Sequence, residues 1–206
     1  MGIKINTIKV YIINKLYKIL ESSIPFLHEA NKRYEHKKYS NIINSYNIKI
    51  GNNNEIDGIK YISIGNKSVF GNNICIQAID EYGDNKFSPQ IIIGEKVFIG
   101  DYCHIGCINK LSIGDNTLIA RRVFISDHFH GNIDSNDILY PPVERPLSYK
   151  PVKIGKNVWI GEGACIMPGV TLGNNVIVGA NAVVTHSFED NSVIAGVPAK
   201  LLKRLI

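Results

Sequence analysis

The sequence has few of the features that mark secreted or membrane-spanning proteins. It contains only four cysteines among 206 residues, Cys75, Cys103, Cys107 and Cys165, and no two of them form a C-x-x-C pair. The chain opens with no signal-peptide pattern, and no apolar run reaches the roughly 18 residues that a transmembrane helix needs. We therefore expect a cytoplasmic protein with reduced cysteines, soluble or peripheral to a membrane.

The excess of positive over negative charge is also small. Lys and Arg number 23, and Asp and Glu number 18, which leaves a net charge of +5. This excess is too small and too scattered to indicate nucleic acid as a partner, and it favours a small anionic ligand or an anionic surface. The chain is 45% hydrophobic with 18 glycines and only 8 prolines, so it is neither largely disordered nor collagen-like.

An apolar residue, in most cases followed by glycine, recurs every six residues over most of the chain. The pattern runs in three blocks, which begin at Ile64, Ile93 and Ile154, and within the second block it slips by two residues between Ile105 and Ile113. Such a period matches neither an α-helix nor a single strand and is typical of repeat architectures. The in-phase positions are Ile64, Phe70, Ile76, Ile93, Ile99, Ile105, Ile113, Ile119, Ile125, Ile154, Ile160, Ile166, Leu172, Val178 and Val184.

The six-residue period predicts a coil with three short strands per turn, in which each hexapeptide forms one side of a triangular prism. The apolar residue points inward, and the small residue after it allows a tight corner. A second column of small or β-branched residues supports this prediction, because a narrow interior requires them. These residues lie four positions after the apolar ones: Val97, Cys103, Thr117, Val123, Val158, Ala164, Val170, Val176 and Ala182.

Two segments lie outside the repeat. Residues 5 to 40 combine apolar and basic positions at helical spacing and then become polar, which predicts an amphipathic basic helix. We favour a cap on the open end of the coil, and a helix on a membrane surface is the alternative. Residues 131 to 152 contain four prolines and break the period, so we expect a loop ejected from the coil.

From about residue 50 to residue 206 the repeat resembles the hexapeptide-repeat acyltransferases. This resemblance implies an all-β, left-handed parallel β-helix and a homotrimer with active sites between subunits. The expected organisation is an N-terminal helical cap at 1–48, a β-helix acyltransferase domain at 49–195 with the ejected loop 131–152, and a C-terminal tail with a short helix at 196–206. The same coil also serves in γ-class carbonic anhydrases and in noncatalytic subunits.

The segment from Ser126 to Gly131 holds the densest cluster of reactive side chains. An imidazole, with a pKa of about 6.5, suits the removal of a hydroxyl proton at neutral pH. The segment is similar to the region of maltose, galactoside and polysaccharide O-acetyltransferases in which the catalytic histidine lies five positions after a repeat residue, which implies His130 as the base. His128 is then the second candidate or an orienting neighbour, and Asp127 either fixes a histidine tautomer or caps a turn.

The Asp-His-x-His-Gly motif resembles the glycan-modifying branch more closely than the maltose enzymes. The maltose enzymes carry a His-Pro pair, and this chain has Gly131 in the position of that proline. The resemblance implies an acetyl-CoA-dependent O-acetyltransferase that acts by direct transfer on a sugar hydroxyl of a surface polysaccharide or its precursor. Transfer to an amino sugar or another small acceptor and a noncatalytic scaffold are the alternatives. Cys103, Cys107 and Cys165 occupy positions that we expect to be core, which disfavours a cysteine nucleophile.

The run from Ala195 to Arg204 resembles the Gly-Val-Pro-Ala-Lys ending of acetyltransferases in this superfamily. The resemblance implies that Lys200 and Lys203 contact the phosphates of the co-substrate acetyl-CoA. A solvated helix end is the alternative for these basic residues. Trp159 occupies a coil in which the family has an aromatic residue near the active site. The other expected contacts of the pantetheine or adenine end are Gly161, Ala180, Thr185 and His186.

Three histidines, His104, His128 and His130, also raise the question of a metal site. His128 and His130 are two residues apart, whereas the zinc histidines of the carbonic anhydrases with this fold include a pair five residues apart. We therefore expect no metal, and the sequence suggests no role for His104. The expected partners are acetyl-CoA, a sugar or glycan acceptor and further copies of this chain, with peripheral membrane contact through the N-terminal basic helix as a further possibility.

Overall fold

The chain divides into two compact units, Met1–Ser40 and Asn41–Ile206. The computed structural model describes Leu16, Ile19, Ser23, residues 47–132 and residues 136–205. In the first unit these three residues are helical, and the Ser23 hydroxyl donates a hydrogen bond to the Ile19 carbonyl oxygen at 2.7 Å. The rest of the predicted cap, up to residue 46, lies outside the described residues.

The second unit is built from three sheets, whose strands are numbered along the chain. The first sheet has eight strands in the order β1 (Lys49–Ile50), β4 (Val69–Phe70), β9 (Phe98–Ile99), β12 (Leu118–Ile119), β17 (Trp159–Ile160), β20 (Ile177–Val178), β22 (Ser192–Ala195) and β23 (Lys200–Arg204). The second has six, β2 (Glu55–Asp57), β5 (Cys75–Ala78), β10 (His104–Cys107), β13 (Phe124–Ser126), β18 (Cys165–Ile166) and β21 (Val183–Val184). The third has five, β3 (Ile62–Ile64), β8 (Gln90–Ile93), β11 (Lys110–Ile113), β16 (Val152–Ile154) and β19 (Thr171–Leu172).

Successive strands enter successive sheets, so that β9, β10 and β11 complete one turn of a coil. All pairs within these sheets are parallel except the last, between β22 and β23. The predicted parallel β-helix with three strands per turn is therefore confirmed.

Several shorter elements lie outside the three sheets of the coil. Two hairpins are formed by β6 (Glu81–Tyr82) with β7 (Asn85–Lys86) and by β14 (His128–His130) with β15 (Leu147–Tyr149). Short 3-10 helices cover Ile59–Tyr61, Asn136–Leu139 and Pro142–Glu144. Within the described ranges, no helix is both long and apolar enough to cross a membrane.

The predicted inward-facing positions form stacks of buried side chains. In the second sheet Ile76, Ile105, Ile125 and Ile166 are register partners, and each is 0% exposed. The second predicted column is buried as well, including Thr117, whose hydroxyl donates to a backbone carbonyl oxygen at 3.0 Å. Full burial of one such side chain stabilises the folded state by about 1.5–3 kcal/mol. A shift of the repeat out of phase would expose a whole stack and lose this stabilisation.

The small residue after each apolar position is required by close stacking of the turns. A Cβ on Gly114 would lie 2.6 Å from the carbonyl carbon of Gly155, and one on Gly155 would lie 2.6 Å from that of Gly173. The left-handed conformation that turns the corner falls two residues later, at Asn116 and Asn175, both with φ 57°. Asparagine tolerates this conformation better than most residues. The small residue therefore allows close stacking of the turns, and the left-handed residue of the corner lies two positions after the predicted one.

The predicted ejected loop is anchored by a hairpin at its base. Strand β14 pairs antiparallel with β15, so that His128 faces Tyr149 and His130 faces Leu147. The coil resumes with Val152 in β16. Both candidate histidines therefore lie on an outer hairpin that leaves the coil directly after β13.

The C-terminal segment differs from the prediction. The expected short helix is absent from the described residues up to 205, and Lys200–Arg204 instead forms β23, with Lys200 opposite Ala195. Gly196, with φ 103°, lies in the turn between the two strands. Without β23, the N–H and C=O groups along the edge of β22 would lack partners, and a strand can pair with them whereas a helix cannot.

Candidate active site

Asp127 is a buried carboxylate at the base of the outer hairpin. Its side chain is 0% exposed, and its Oδ2 accepts a hydrogen bond from the Cys107 thiol at 3.2 Å. Its two oxygens also accept hydrogen bonds from the backbone N–H groups of Ile108, Asn109 and Lys110, at 2.9, 2.8 and 2.9 Å. This carboxylate therefore closes the turn between β10 and β11, which lies about twenty residues earlier in the chain.

The same carboxylate contacts the ring of His128. The Nδ1 atom of His128 lies 3.0 Å from Oδ1 of Asp127. Burial raises the pKa of Asp127, but the hydrogen bonds from His128 and from the turn outweigh burial and hold the pKa below its usual value. Asp127 is therefore ionised at neutral pH and can only accept hydrogen bonds. In the neutral tautomer that this contact favours, Nδ1 of His128 carries the proton and Nε2 carries the lone pair.

Ser126 holds the backbone of His128 in place. Its hydroxyl donates to the His128 carbonyl oxygen at 3.0 Å and accepts the His128 N–H at 3.2 Å. The same hydroxyl lies 3.3 Å from Nδ1. The His128 side chain is 13% exposed, so its ring is held in place and still accessible. An oriented imidazole with a free Nε2 and a carboxylate at Nδ1 can act as a general base.

His130 lies on the exposed side of the hairpin, beside Tyr82 of the β6–β7 hairpin. The Tyr82 hydroxyl is 3.4 Å from Nδ1 of His130, and the rings meet edge to face with centroids 5.4 Å apart. The same hydroxyl donates its proton to the Val143 carbonyl oxygen at 2.8 Å, so it can only accept from His130. This arrangement also leaves Nε2 of His130 free.

A cavity of about 400 Å³ adjoins His130. The Nε of Arg145, a lining residue, donates a hydrogen bond to the Tyr140 carbonyl oxygen at 2.8 Å within the ejected loop. The cavity thus belongs to the loop and its hairpin. Its lining residues are Phe129, His130, Gly131, Asn132, Ile138, Arg145 and Ser148.

The structure brings Asp127 together with His128. Among the described residues, only His128 of the two candidate bases has a carboxylate at Nδ1. Asp127 combines both roles considered from the sequence, because it binds a histidine and closes a turn. Which histidine is the base stays a prediction, and the geometry favours His128 over the expected His130.

Two of the cysteines are poor nucleophiles, as expected for core residues. Burial raises the pKa of Cys103 to about 11 and that of Cys107 to about 12, and the charge of Asp127 contributes to the second shift. A thiol reacts as its thiolate, so both groups are inert at neutral pH. Cys165 departs from the expectation, because it lies half-buried on the outer side of β18.

Two of the residues expected at the co-substrate site stack directly. A Cβ on Gly161 would lie 2.6 Å from the backbone nitrogen of Ala180, so these residues are in close contact on successive turns. Gly161 is buried in this contact, whereas Ala180 is exposed. Trp159 lies on the outer face of β17 and is 53% exposed. Its register partners are Leu118 and Ile177. An exposed aromatic ring can pack against a slender apolar chain.

Thr185 and His186 lie on the surface directly after β21. The Thr185 hydroxyl is 3.4 Å from Nδ1 of His186, whose ring lies 4.5 Å from that of Phe188. These side chains form a small exposed cluster with both aromatic and hydrogen-bonding groups.

Lys200 and Lys203 are exposed on β23. The N–H of Ala199 donates to the Val183 carbonyl oxygen at 2.8 Å, which places the beginning of β23 beside the strand that precedes Thr185. The segment with Thr185 and His186 and the strand with Lys200 and Lys203 are therefore joined by this hydrogen bond at the C-terminal end of the coil.

Sequence reasoning missed two contributors to the site. Tyr82 contacts His130 from 48 residues away, and no motif around it signals that contact. Ser126 belongs to the reactive segment, where the sequence suggests no role of its own for it, although its hydroxyl holds the backbone of His128. Within residues 47–132 and 136–205, no group of three or more His, Cys, Asp or Glu side chains could hold a metal ion.

Comparison with known proteins identifies the family. The family model described as "Bacterial transferase hexapeptide (six repeats)" matches residues 151–186. The chain is 32% identical over 157 residues to the dTDP-4-amino-4,6-dideoxy-D-glucose acyltransferase of Escherichia coli, which covers 75% of this chain and 77% of that protein. The chain belongs to the hexapeptide-repeat acyltransferase superfamily.

A second relative is more similar over a shorter stretch. The chain is 46% identical over 118 residues to "Putative lipopolysaccharide biosynthesis O-acetyl transferase WbbJ" of Escherichia coli K12, which covers 55% of this chain and 60% of that protein. The chain thus spans less than two thirds of the length of this relative.

A solved structure shares the fold. This is AntD, an N-acyltransferase from Bacillus cereus, in complex with dTDP and 3-hydroxybutyryl-CoA, with a TM-score of 0.64 and 23% sequence identity over 84% of this chain and 87% of AntD. At this identity the likeness supports the β-helix architecture.

Proposed function

We propose that this protein transfers the acetyl group of acetyl-CoA to a sugar hydroxyl of a glycan, either a surface polysaccharide or its precursor. The observation that carries this proposal is the 3.0 Å contact between Asp127 and His128, because it leaves an accessible imidazole with a free Nε2. The likeness to WbbJ, whose name refers to lipopolysaccharide biosynthesis and O-acetyl transfer, supports the same acceptor class.

In the proposed reaction, Nε2 of His128 takes the proton of the sugar hydroxyl. The hydroxyl oxygen attacks the thioester carbonyl carbon, so that a C–O bond forms, and backbone N–H groups stabilise the charge on the carbonyl oxygen. The C–S bond then breaks, and His128 returns the proton to the sulfur of coenzyme A. The products are the acetyl ester and free coenzyme A, and Asp127 stabilises the imidazolium between the two proton transfers.

The donor would lie along the end of the coil that carries the basic strand. The exposed Ala180 and Trp159 offer a surface against which pantetheine can lie. The exposed Lys200 and Lys203 supply positive charge for the phosphates. Thr185 and His186 lie between these groups in sequence and offer further polar contacts for the adenine end.

Transfer to the nitrogen of an amino sugar is a second candidate function. A specific observation favours it, since the relative with the larger coverage is named as an acyltransferase of an amino-dideoxyglucose linked to dTDP. A base such as His128 can accept a proton from an ammonium or amine group as well as from a hydroxyl.

The two candidates can be separated in one assay. Release of free thiol from acetyl-CoA is followed with a panel of neutral sugars, amino sugars and oligosaccharides, and the product is treated with hydroxylamine. An O-acetyl ester is cleaved by hydroxylamine, whereas an N-acetyl amide survives. Thiol release with neutral sugars and a cleavable product supports the proposal, a stable product supports N-transfer, and no release with any acceptor favours a noncatalytic scaffold.

A further inference from the structure

Three side chains converge on one point above strand β10. A Cβ built on Gly106 would lie 3.2 Å from Cε1 of His128, 3.6 Å from Nε2 of His104 and 3.8 Å from Oγ of Ser126. The two imidazole rings therefore approach each other over the same spot, and the absence of a side chain at Gly106 lets them cover it, so that Gly106 is buried.

Gly106 differs from the glycines at the corners of the coil. Those glycines face the backbone of the next turn, as Gly114 faces Gly155. Gly106 instead lies inside β10, paired with Gln77 on one side and Ser126 on the other. Its backbone does not need glycine for a left-handed conformation, since its φ is not positive. The glycine therefore makes room on the outer face of the sheet for the rings of His104 and His128 to come close together.

The ring of His104 is oriented by its neighbour in the sheet. It stacks on Phe124 of β13, with the centroids 5.4 Å apart and the planes 14° apart. Burial lowers the pKa of His104, and the nearby His128 lowers it further, while Glu55 opposes the shift. His104 is therefore neutral at neutral pH, with one nitrogen as a donor and the other as an acceptor.

The rest of this face disfavours a negatively charged group. Glu55 and Asp57 lie on β2, in register with Cys75 and Gln77 of the intervening strand, and both carboxylates are exposed. At two strand spacings, about 10 Å, they repel a carboxylate or phosphate over Gly106. A neutral imidazole can instead exchange hydrogen bonds with a hydroxyl, which both donates and accepts.

We propose that His104 forms an acceptor subsite beside His128, in which His104 binds a hydroxyl of an uncharged sugar ring next to the hydroxyl that His128 deprotonates. Gly106 lets the two rings lie close together, and the stacked Phe124 holds His104 in place. This inference rests on the proposed O-acetyl transfer. It defines the acceptor as an uncharged sugar with two adjacent hydroxyls.

The test compares sugars that differ by one hydroxyl. Wild type and His104→Ala are assayed with acetyl-CoA and the methyl glycosides of glucose, galactose and mannose, each with its monodeoxy derivatives. We expect wild type to prefer a parent glycoside about tenfold in kcat/KM over the derivative that lacks the hydroxyl next to the acetylated one. His104→Ala should lose this preference and keep the wild-type KM for acetyl-CoA. His104→Asn, which retains a donor and an acceptor, should restore part of it.

Two further variants separate the subsite from a general loss of structure. Gly106→Ala should raise KM for the glycoside, because the new Cβ presses on His128, and should leave KM for acetyl-CoA unchanged. Ser112→Ala, on another face of the same turn, serves as the control and should behave as wild type.

The possible failures are distinguishable. If His104→Ala keeps the wild-type preference for every parent glycoside, or acts only on KM for acetyl-CoA, the subsite is refuted and the proposed function stands. If wild type acetylates no glycoside, the proposed function itself fails, and the subsite fails with it.

Discussion

Oδ1 of Asp127 lies 3.0 Å from Nδ1 of His128, while the same carboxylate accepts backbone hydrogen bonds from the turn that begins at Ile108. One buried charge thus orients the candidate base and closes a turn of the preceding coil. Because the two functions share one side chain, activity and stability should respond together to its replacement.

His128→Ala should reduce transfer by at least about 100-fold, since it removes the group that accepts the hydroxyl proton. The variant should fold normally, because the His128 ring lies on an outer hairpin. His130→Ala is the matched control from the same strand and should lose less than tenfold. The measurement is kcat for thiol release at saturating acetyl-CoA. An inactive His130→Ala together with an active His128→Ala would identify His130 as the base.

Asp127→Asn should destabilise the protein by about 3 kcal/mol, because an amide nitrogen would face the backbone N–H groups that the carboxylate binds. Chemical denaturation measures the change in the free energy of unfolding. The variant should also lose activity, since an amide no longer fixes the tautomer of His128. An unchanged stability would show that the hydrogen bonds to the turn contribute little.

The stabilisation by Asp127 should depend on pH. Its pKa is lower in the folded protein than in the unfolded chain, so its contribution is fully present above the unfolded value of about 3.9 and is lost as the pH falls through the folded value. The difference in unfolding free energy between wild type and Asp127→Asn should therefore be constant near neutral pH and shrink below about pH 4. A difference that stays constant into acid would contradict the lowered pKa.

Replacing both Lys200 and Lys203 by Ala should raise KM for acetyl-CoA about tenfold with little change in kcat, because the lysines bind phosphate and not the reacting atoms. The defect should shrink with acetyl-dephospho-CoA as the donor. Lys153→Ala, an exposed lysine on β16, is the control for general loss of positive charge. A double variant with unchanged KM would remove β23 from the donor site.

Light scattering should give the mass of a homotrimer. The outer face of the first sheet supports association, because Phe98, Leu118 and Trp159 are register partners and all remain exposed. If each site combines His128 of one subunit with the Trp159 coil of a neighbour, mixed trimers of His128→Ala and Ala180→Trp subunits should recover part of the activity. A fully active monomer, or mixed trimers without recovery, would contradict this assembly.

The repeat positions could be predicted from the sequence because the coil depends on local spacing. Each hexapeptide contributes one strand, so Ile105 and Ile125 become stacked partners once the period is known. The interior column follows from the same count, since Val97 and Thr117 lie four positions after repeat residues and both are buried. The repeat therefore determined the architecture, the core and the position of the ejected loop.

Tertiary structure decided the details of the site, because they depend on contacts between residues far apart in the chain. The family resemblance implied His130, five positions after Ile125, whereas the partner of Asp127 depends on how the outer hairpin meets the turn at Ile108. The last strand depends in the same way on the open edge of β22, which local propensity around Lys200 does not reveal. Spacing along one chain specifies which residues face inward, but only the folded coil determines which polar groups meet on its surface.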